Sequence, residues 1–167
     1  KRRNTSEGWQ VYHHKNTAAP ETDLLTLDTS AATSDESNRW NDTAPTSSVF
    51  TVEDHVTVNA ADDTYVNYLW TEKQGFSKFG TYTGNGNANG TFVYLGFRPA
   101  YVLVKCSSHA ALNWYLHDNK RPGYNVTNRS IALDLADTDY TAAVLIDFLS
   151  NGFKCRSIVG AGTNLNT

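Results

Sequence analysis

Short apolar and aromatic runs alternate along this chain with stretches of Asn, Gly, Ser and Thr, and no helical period is sustained. Tyr101, Leu103 and Lys105 alternate with Val102, Val104 and Cys106, which predicts a strand apolar on nearly both faces. Residues 79–83 run into Gly84-Asn85-Gly86-Asn87-Ala88-Asn89-Gly90 and then residues 91–94. That order predicts strand, turn, strand, because Gly and Asn tolerate positive φ at the bend. Asn151-Gly152 before Phe153 marks another turn. Pro99 lies between two strands, where its missing N–H does little harm. The best helical candidates are residues 137–148 and 29–39, both short and weakly periodic. They are expected to be loops or single turns.

The pattern also repeats. Trp9-Gln10-Val11-Tyr12-His13-His14-Lys15 is matched by Trp114-Tyr115-Leu116-His117-Asp118-Asn119-Lys120. Leu25-Thr26-Leu27-Asp28 is matched by Ile131-Ala132-Leu133-Asp134, Ser47-Ser48-Val49-Phe50 by Ser150-Asn151-Gly152-Phe153, and Val58-Asn59 by Thr163-Asn164. The offsets all lie between 103 and 106, as a repeat with small loop insertions would give. The first copy continues past Asn59 into the aromatic run Tyr65-Val66-Asn67-Tyr68-Leu69-Trp70, and the second stops at Thr167 before any counterpart. With no Met in the chain, these mismatched ends are expected of a fragment. The expected fold is an all-β antiparallel sandwich, lectin-like or jelly-roll-like, in two truncated tandem copies. The first, residues 1–74, lacks N-terminal strands, and the second, residues 75–167, lacks its C-terminal strand.

Composition narrows the function classes. Hydrophobic residues are 40% and charged residues 19% of the 167, enough apolar surface for a folded core. The net charge is −3, and no basic stripe exists beyond Lys1-Arg2-Arg3, so nucleic acid is not an expected partner. No apolar run approaches the roughly 20 residues of a membrane span, and no signal peptide is read. Cys106 and Cys155 fit no metal motif and are expected to be plain thiols.

Three long strings resemble a known family. Gly75-Phe76-Ser77-Lys78-Phe79-Gly80-Thr81-Tyr82-Thr83-Gly84-Asn85-Gly86 is the first, and Gly96-Phe97-Arg98-Pro99-Ala100-Tyr101-Val102-Leu103-Val104-Lys105 the second. The third is Asp147-Phe148-Leu149-Ser150-Asn151-Gly152-Phe153-Lys154. They look like the repeated β-rich domain of tailed-phage structural proteins, which often sits beside concanavalin A-like (laminin-G-like) lectin modules. Residues 40–50 are similar to a segment of its first copy. The resemblance implies a virion or tail-appendage protein whose partners are other virion proteins and host-surface glycans. It carries over no catalytic residue, and a homo-oligomer is left open.

A search for chemistry returns little. Sandwich glycosidases need two facing carboxylates. The five Glu residues, Glu7, Glu21, Glu36, Glu53 and Glu72, include no two within four positions, and Asp62 and Asp63 would point to opposite faces of a strand. Gly84-x-Gly86-x-x-x-Gly90 opens into a strand, so it lacks the helix N-terminus of a phosphate loop. His13 and His14 diverge on a strand, and the polar pair His117-Asp118 at the matching place reads as a turn or inter-strand contact. No catalytic residue, cofactor or metal is therefore expected. Asn-x-Ser/Thr at Asn4, Asn41, Asn89, Asn125 and Asn128 reads as composition.

Sugar rings pack their C–H faces on Trp or Tyr while Asn and Asp bind hydroxyls. Trp9 and Trp114 recur in strand contexts, which favours core packing, and Trp70 reads as core or sheet face. Trp40 has no partner in the second copy and stands in the polar loop Ser37-Asn38-Arg39-Trp40-Asn41-Asp42. Trp40, Asn41 and Asp42 are thus the candidate ligand-binding residues. The competing and favoured reading is that Trp40 plugs a hydrophobic corner of the first copy. The expected function is a non-enzymatic, lectin-like module, with a structural spacer or decoration domain as the alternative and a glycan-cleaving enzyme disfavoured.

Overall fold

Buried backbone polar groups need partners, and a chain poor in helical period finds them between strands. The computed structural model describes residues 1–121, 125–137, 139–157 and 162–166. Among these, nine strands form two antiparallel sheets, and the only helices are two single turns. The chain divides into two compact units, one of Lys1–Trp70 with Ser107–Ala110 and one of Thr71–Cys106 with Ala111–Thr167. The sequence division had been placed at 74/75.

In the first unit, β1 (Gln10–Val11), β2 (Asp23–Thr26) and β3 (Ser34–Asp35) make a three-stranded sheet with β2 in the centre. Asp23, Leu24 and Leu25 of β2 are buried. The helical turn α1 (Ser37–Trp40) brings Trp40 into this core, where its indole Nε1 donates to Asp23 O at 2.9 Å. Tyr12 meets the Trp40 ring edge-on at 6.0 Å. The second turn, α2 (Val56–Asn59), starts at His55, whose ring nitrogen accepts from Thr57 N.

In the second unit, six strands run in the order β4-β9-β8-β7-β6-β5. They are β4 (Phe92–Tyr94), β5 (Tyr101–Val104), β6 (Tyr115–Asp118), β7 (Thr127–Ala132), β8 (Tyr140–Leu149) and β9 (Gly152–Cys155). Pairing registers carry one face across the sheet. Val104 opposes Tyr115, which opposes Ala132, and Val93 opposes Phe153, which opposes Phe148. Val102, Val104, Ile146, Phe148, Phe153 and Cys155 form one buried cluster, with Tyr82, Val93 and Leu95 packed on it. Residues from both edge strands, β4 and β5, thus meet in one core, so the sheet curls. The strong twist of such sheets and their period-two alternation make this closure natural.

Polar side chains complete backbone pairing where strands end. The Asn125 amide donates to Phe148 O and accepts from Phe148 N, both at 2.9 Å, as a strand neighbour would. Asn164 donates to Asn87 O at 2.8 Å and Ser157 O at 3.0 Å and accepts from Asn85 N at 3.1 Å, tying the Gly-Asn loop to the core.

Several local expectations differ. Residues 137–148, expected as loop or single turn, contain most of β8, the longest strand. Tyr140, Thr141, Val144, Ile146 and Phe148 are strand-favouring types, and pairing with β7 and β9 uses that propensity. Residues 79–83 form no strand, although Tyr82 is packed edge-on to Phe153 at 5.9 Å. The strand at Tyr101 is apolar-in on one face only, since Tyr101 and Leu103 stay exposed. Thr138, and Thr167 at the expected end of the second copy, lie outside the described residues.

His117 sits on the buried face opposite Val102 and is fully enclosed. Burial pushes its pKa down to about 4, against smaller upward pulls from the Arg129 backbone and Asp118. The unfolded imidazole, with a pKa of about 6.5, binds more protons than the folded one between these values. Stability contributed by neutral His117 is therefore complete above pH ~6.5 and falls as pH drops towards ~4, by at most about 3 kcal/mol. Urea titrations of wild type and His117→Leu across this window should diverge as pH falls, with the variant losing less. Parallel curves would remove His117 as the cause.

Candidate functional site: a row of aromatic rings

The sequence candidate Trp40, Asn41 and Asp42 stays contiguous but splits in orientation. Trp40 is only 8% exposed and its one donor is satisfied by Asp23 O, so it offers no ring face to a sugar. Burial of a large ring beside Tyr12 is the stronger use of its apolar area. Asn41 and Asp42 are exposed, at φ 54° and 43°, and end the α1 turn. Short polar side chains tolerate this left-handed backbone better than most. The hydrophobic-corner reading of Trp40 therefore describes the ring, and the ligand-binding expectation retains only its two exposed polar residues.

A different set of rings is exposed together. Trp9 stands just before β1. Its backbone N–H donates to Asp28 Oδ1 at 2.8 Å and its carbonyl accepts from Leu27 N at 3.0 Å, which fixes the head of the strand pair. The chain returns beside it at residues 64–66. Arg3 N donates to Thr64 O, Val66 N to Lys1 O and Lys1 N to Val66 O, at 2.9–3.1 Å. Tyr65 is pinned further, its hydroxyl accepting from Ala60 N and donating to Val56 O, each at 2.7 Å. The Arg2 guanidinium pairs with Asp63 and reaches Glu7 at 3.8 Å.

This short ladder aims the following extended residues. Side chains two apart in an extended segment share a side, so Tyr68 and Trp70 project together. Trp9 and Tyr68 are stacked with centroids 5.7 Å apart and planes 23° from parallel. Tyr68 and Trp70 follow at 6.0 Å and 28°. Tyr68 is 60% and Trp70 71% exposed, while Trp9 is half-buried. Lys1 Nζ lies 6.0 Å from the Trp9 ring centroid, at the outer range of a cation–π contact. The result is a run of three near-parallel rings with a cation at one end and its most exposed ring at the other. Large apolar rings left in water cost free energy, so a grouped set of them marks a surface with a use.

Other chemistry-bearing groups do not assemble. The His13 and His14 rings stack at 5.5 Å, and burial followed by His14 itself pushes the His13 pKa down. Among the described residues, no three His, Cys, Asp or Glu side chains are grouped to hold a metal. Both cysteines are free thiols, and burial raises the pKa of Cys155. No described helix is long and apolar enough to cross a membrane.

The sequence reads Trp9 as core and Trp70 as core or sheet face, and does not single out Tyr68. The available signal was the i, i+2 spacing of Tyr68 and Trp70 in a run flanked by polar residues. What no spacing could supply was the return of that run beside Trp9. Three of the Asn-x-Ser/Thr asparagines also do structural work that composition hid. Asn4 pairs with Asp63, Asn41 ends α1, and Asn125 pairs with Phe148.

A family model described as a domain of unknown function (DUF7483) matches residues 1–166. No curated protein and no solved structure matches the chain.

The two kinds of tryptophan separate by mutation. Trp40→Ala should destabilise the protein by about 3–5 kcal/mol, the range for emptying a core aromatic site. Trp70→Ala should change stability by no more than about 0.5 kcal/mol, as for exposed positions. Chemical denaturation of both variants checks this, and equal losses would contradict the assignment of Trp70 to the surface.

Proposed function

We propose that this chain, which belongs to the DUF7483 family, is a non-enzymatic phage virion module that holds glycans on Trp9, Tyr68 and Trp70. The observation that carries the reading is the exposed stack itself, with successive ring separations of 5.7 and 6.0 Å. Pyranose rings bury their C–H faces on such surfaces, and Tyr68 adds a hydroxyl at the middle of the row. The backbone ladder between residues 1–3 and 64–66 holds the platform without a ligand, which limits the ordering cost of binding. The virion setting rests on the resemblance of residues 75–86, 96–105 and 147–154 to tailed-phage structural proteins.

We also read the two units as tandem copies of one sandwich-like, jelly-roll-like design. The same clamp recurs in both. Trp114 N donates to the Asp134 carboxylate at 3.0 Å and Leu133 N donates to Trp114 O at 2.9 Å, as happens between Trp9 and the pair Asp28 and Leu27. Gln10 opposes Thr26 and Val11 opposes Leu25, while Tyr115 opposes Ala132 and Leu116 opposes Ile131. This recurrence also supports the second reading, a spacer or decoration domain of the particle, for which a repeated scaffold suffices. Binding distinguishes the two.

A glycan-array screen of the chain beside Tyr68→Ala and Trp70→Ala makes the test. Saturable binding that both variants lose is the expected result. Binding unchanged in both, or none by the folded wild type, would remove the glycan reading and leave the spacer ahead.

A further inference from the structure

The aromatic row has a charged end that ring stacking alone does not explain. Residues 1–3 pair antiparallel with residues 64–66, Arg2 standing opposite Tyr65. Side chains alternate along both segments, so Lys1, Arg3, Thr64 and Val66 share one side of this ladder and Arg2 and Tyr65 the other. The same period of two carries the first side on to Tyr68 and Trp70. Lys1 Nζ, 6.0 Å from the Trp9 ring centroid, marks it as the side of the row. Arg3 is exposed, and two residues of extended chain place it about 7 Å beyond Lys1, on the line away from Trp70.

Three carboxylates lie close to this ladder, and each is already engaged. Asp63 pairs with Arg2 and accepts from the Asn4 amide, and Glu7 reaches Arg2 at 3.8 Å. Asp28 accepts from Trp9 N at 2.8 Å. Among the described residues, neither Lys1 nor Arg3 has a carboxylate partner. The ladder thus sorts charge by side. It compensates Arg2 on one side and leaves two cations uncompensated beside the rings. Rings pack on the C–H faces of neutral and acidic sugars alike. Cations add charge-assisted bonds that an acidic sugar alone can make, so they decide between the two.

We propose that the ligands of the aromatic row are acidic glycans, with a carboxylate or phosphate held by Lys1 and Arg3 while Tyr68 and Trp70 pack on the sugar rings. This rests on the glycan reading above and names its substrate class. Single-stranded nucleic acid also combines aromatic rings with cations. Here the net charge is −3, no basic stripe extends past Arg3, and the rings lie on one another at 5.7 and 6.0 Å, which leaves no slot between them for a base.

The test is calorimetric titration of the whole chain with four probes: a uronic-acid oligosaccharide, the same oligosaccharide with its carboxyl groups reduced to alcohols, a sugar-phosphate oligomer and a single-stranded oligonucleotide. At least one acidic glycan should bind about tenfold more tightly than the carboxyl-reduced one, and which of the two binds identifies the anionic group. About 1 M salt, where the screening length falls to about 3 Å, should erase that difference and spare the neutral binding. Lys1→Gln and Arg3→Gln should each weaken the acidic ligand about threefold, as for an exposed charge pair, and leave the neutral one unchanged. Lys1→Arg should retain the preference. The ladder is made by the backbone atoms of residues 1 and 3, so these variants keep it, and circular dichroism checks that they do. The preference in wild type is read without any substitution. Equal affinity for the acidic and carboxyl-reduced sugars, both lost in Trp70→Ala, would overturn the acidic class and leave the glycan reading standing. Binding of no sugar at all would remove both. Acidic binding that survives Trp70→Ala, or tighter binding of the oligonucleotide, would also overturn the proposal, because charge without sugar packing would then account for recognition.

Discussion

Both sheets hang on one backbone device, a tryptophan whose N–H and C=O are taken up by consecutive residues after the next strand. Asp28 and Leu27 hold Trp9, and Asp134 and Leu133 hold Trp114. A carboxylate on a backbone N–H is a strong, charge-assisted bond, and the neighbouring carbonyl bond leaves the pair no freedom to slide. Register follows from it. In the second unit a slip of one residue would carry Tyr115 and His117 to the outer face and bring Leu116 and Asp118 inward. The buried cluster from Val102 to Cys155 exists only in the register that the clamp selects.

The two units share this device and use its tryptophan differently. Trp114 is buried, its ring part of a packed interior. Trp9 remains half-exposed because the chain returns with Tyr68 and Trp70, which stack on it instead of closing over it. A scaffold element in one unit thus becomes the inner end of a surface platform in the other. The proposed glycan site is a point where the two units differ, while the spacer reading rests on what they have in common.

The unusual polar composition also acquires a reason. Asparagine serves here as a substitute for backbone. Asn125 completes the pairing of Phe148, Asn164 ties down the Gly-Asn loop, and Asn85, Asn87 and Asn89 bond one another within it. Its side-chain amide carries the same donor and acceptor as a peptide unit, so it can finish a sheet where the chain turns away.

Local pattern was enough for the β character of the chain, for turns at Asn151-Gly152 and the Gly-Asn loop, and for the matched segments at offsets of 103 to 106. Alternation and turn chemistry act between neighbours, so they are written in the order of residues. The length of β8 was not legible, because a short apolar run reads alike as strand or helical turn, and its partners β7 and β9 meet it only after folding. The site was misplaced for the same reason. Trp40 stands in a polar loop and reads either as a sugar contact or, preferably, as a hydrophobic plug, and a single helical turn buries it with its indole N–H on Asp23 O. Trp9 reads as core and Trp70 as core or sheet face, but a return of the chain across a separation of 61 positions brings them to opposite ends of one exposed stack. Which face of a ring meets water is settled by what packs on its other side, and that partner comes from elsewhere in the chain.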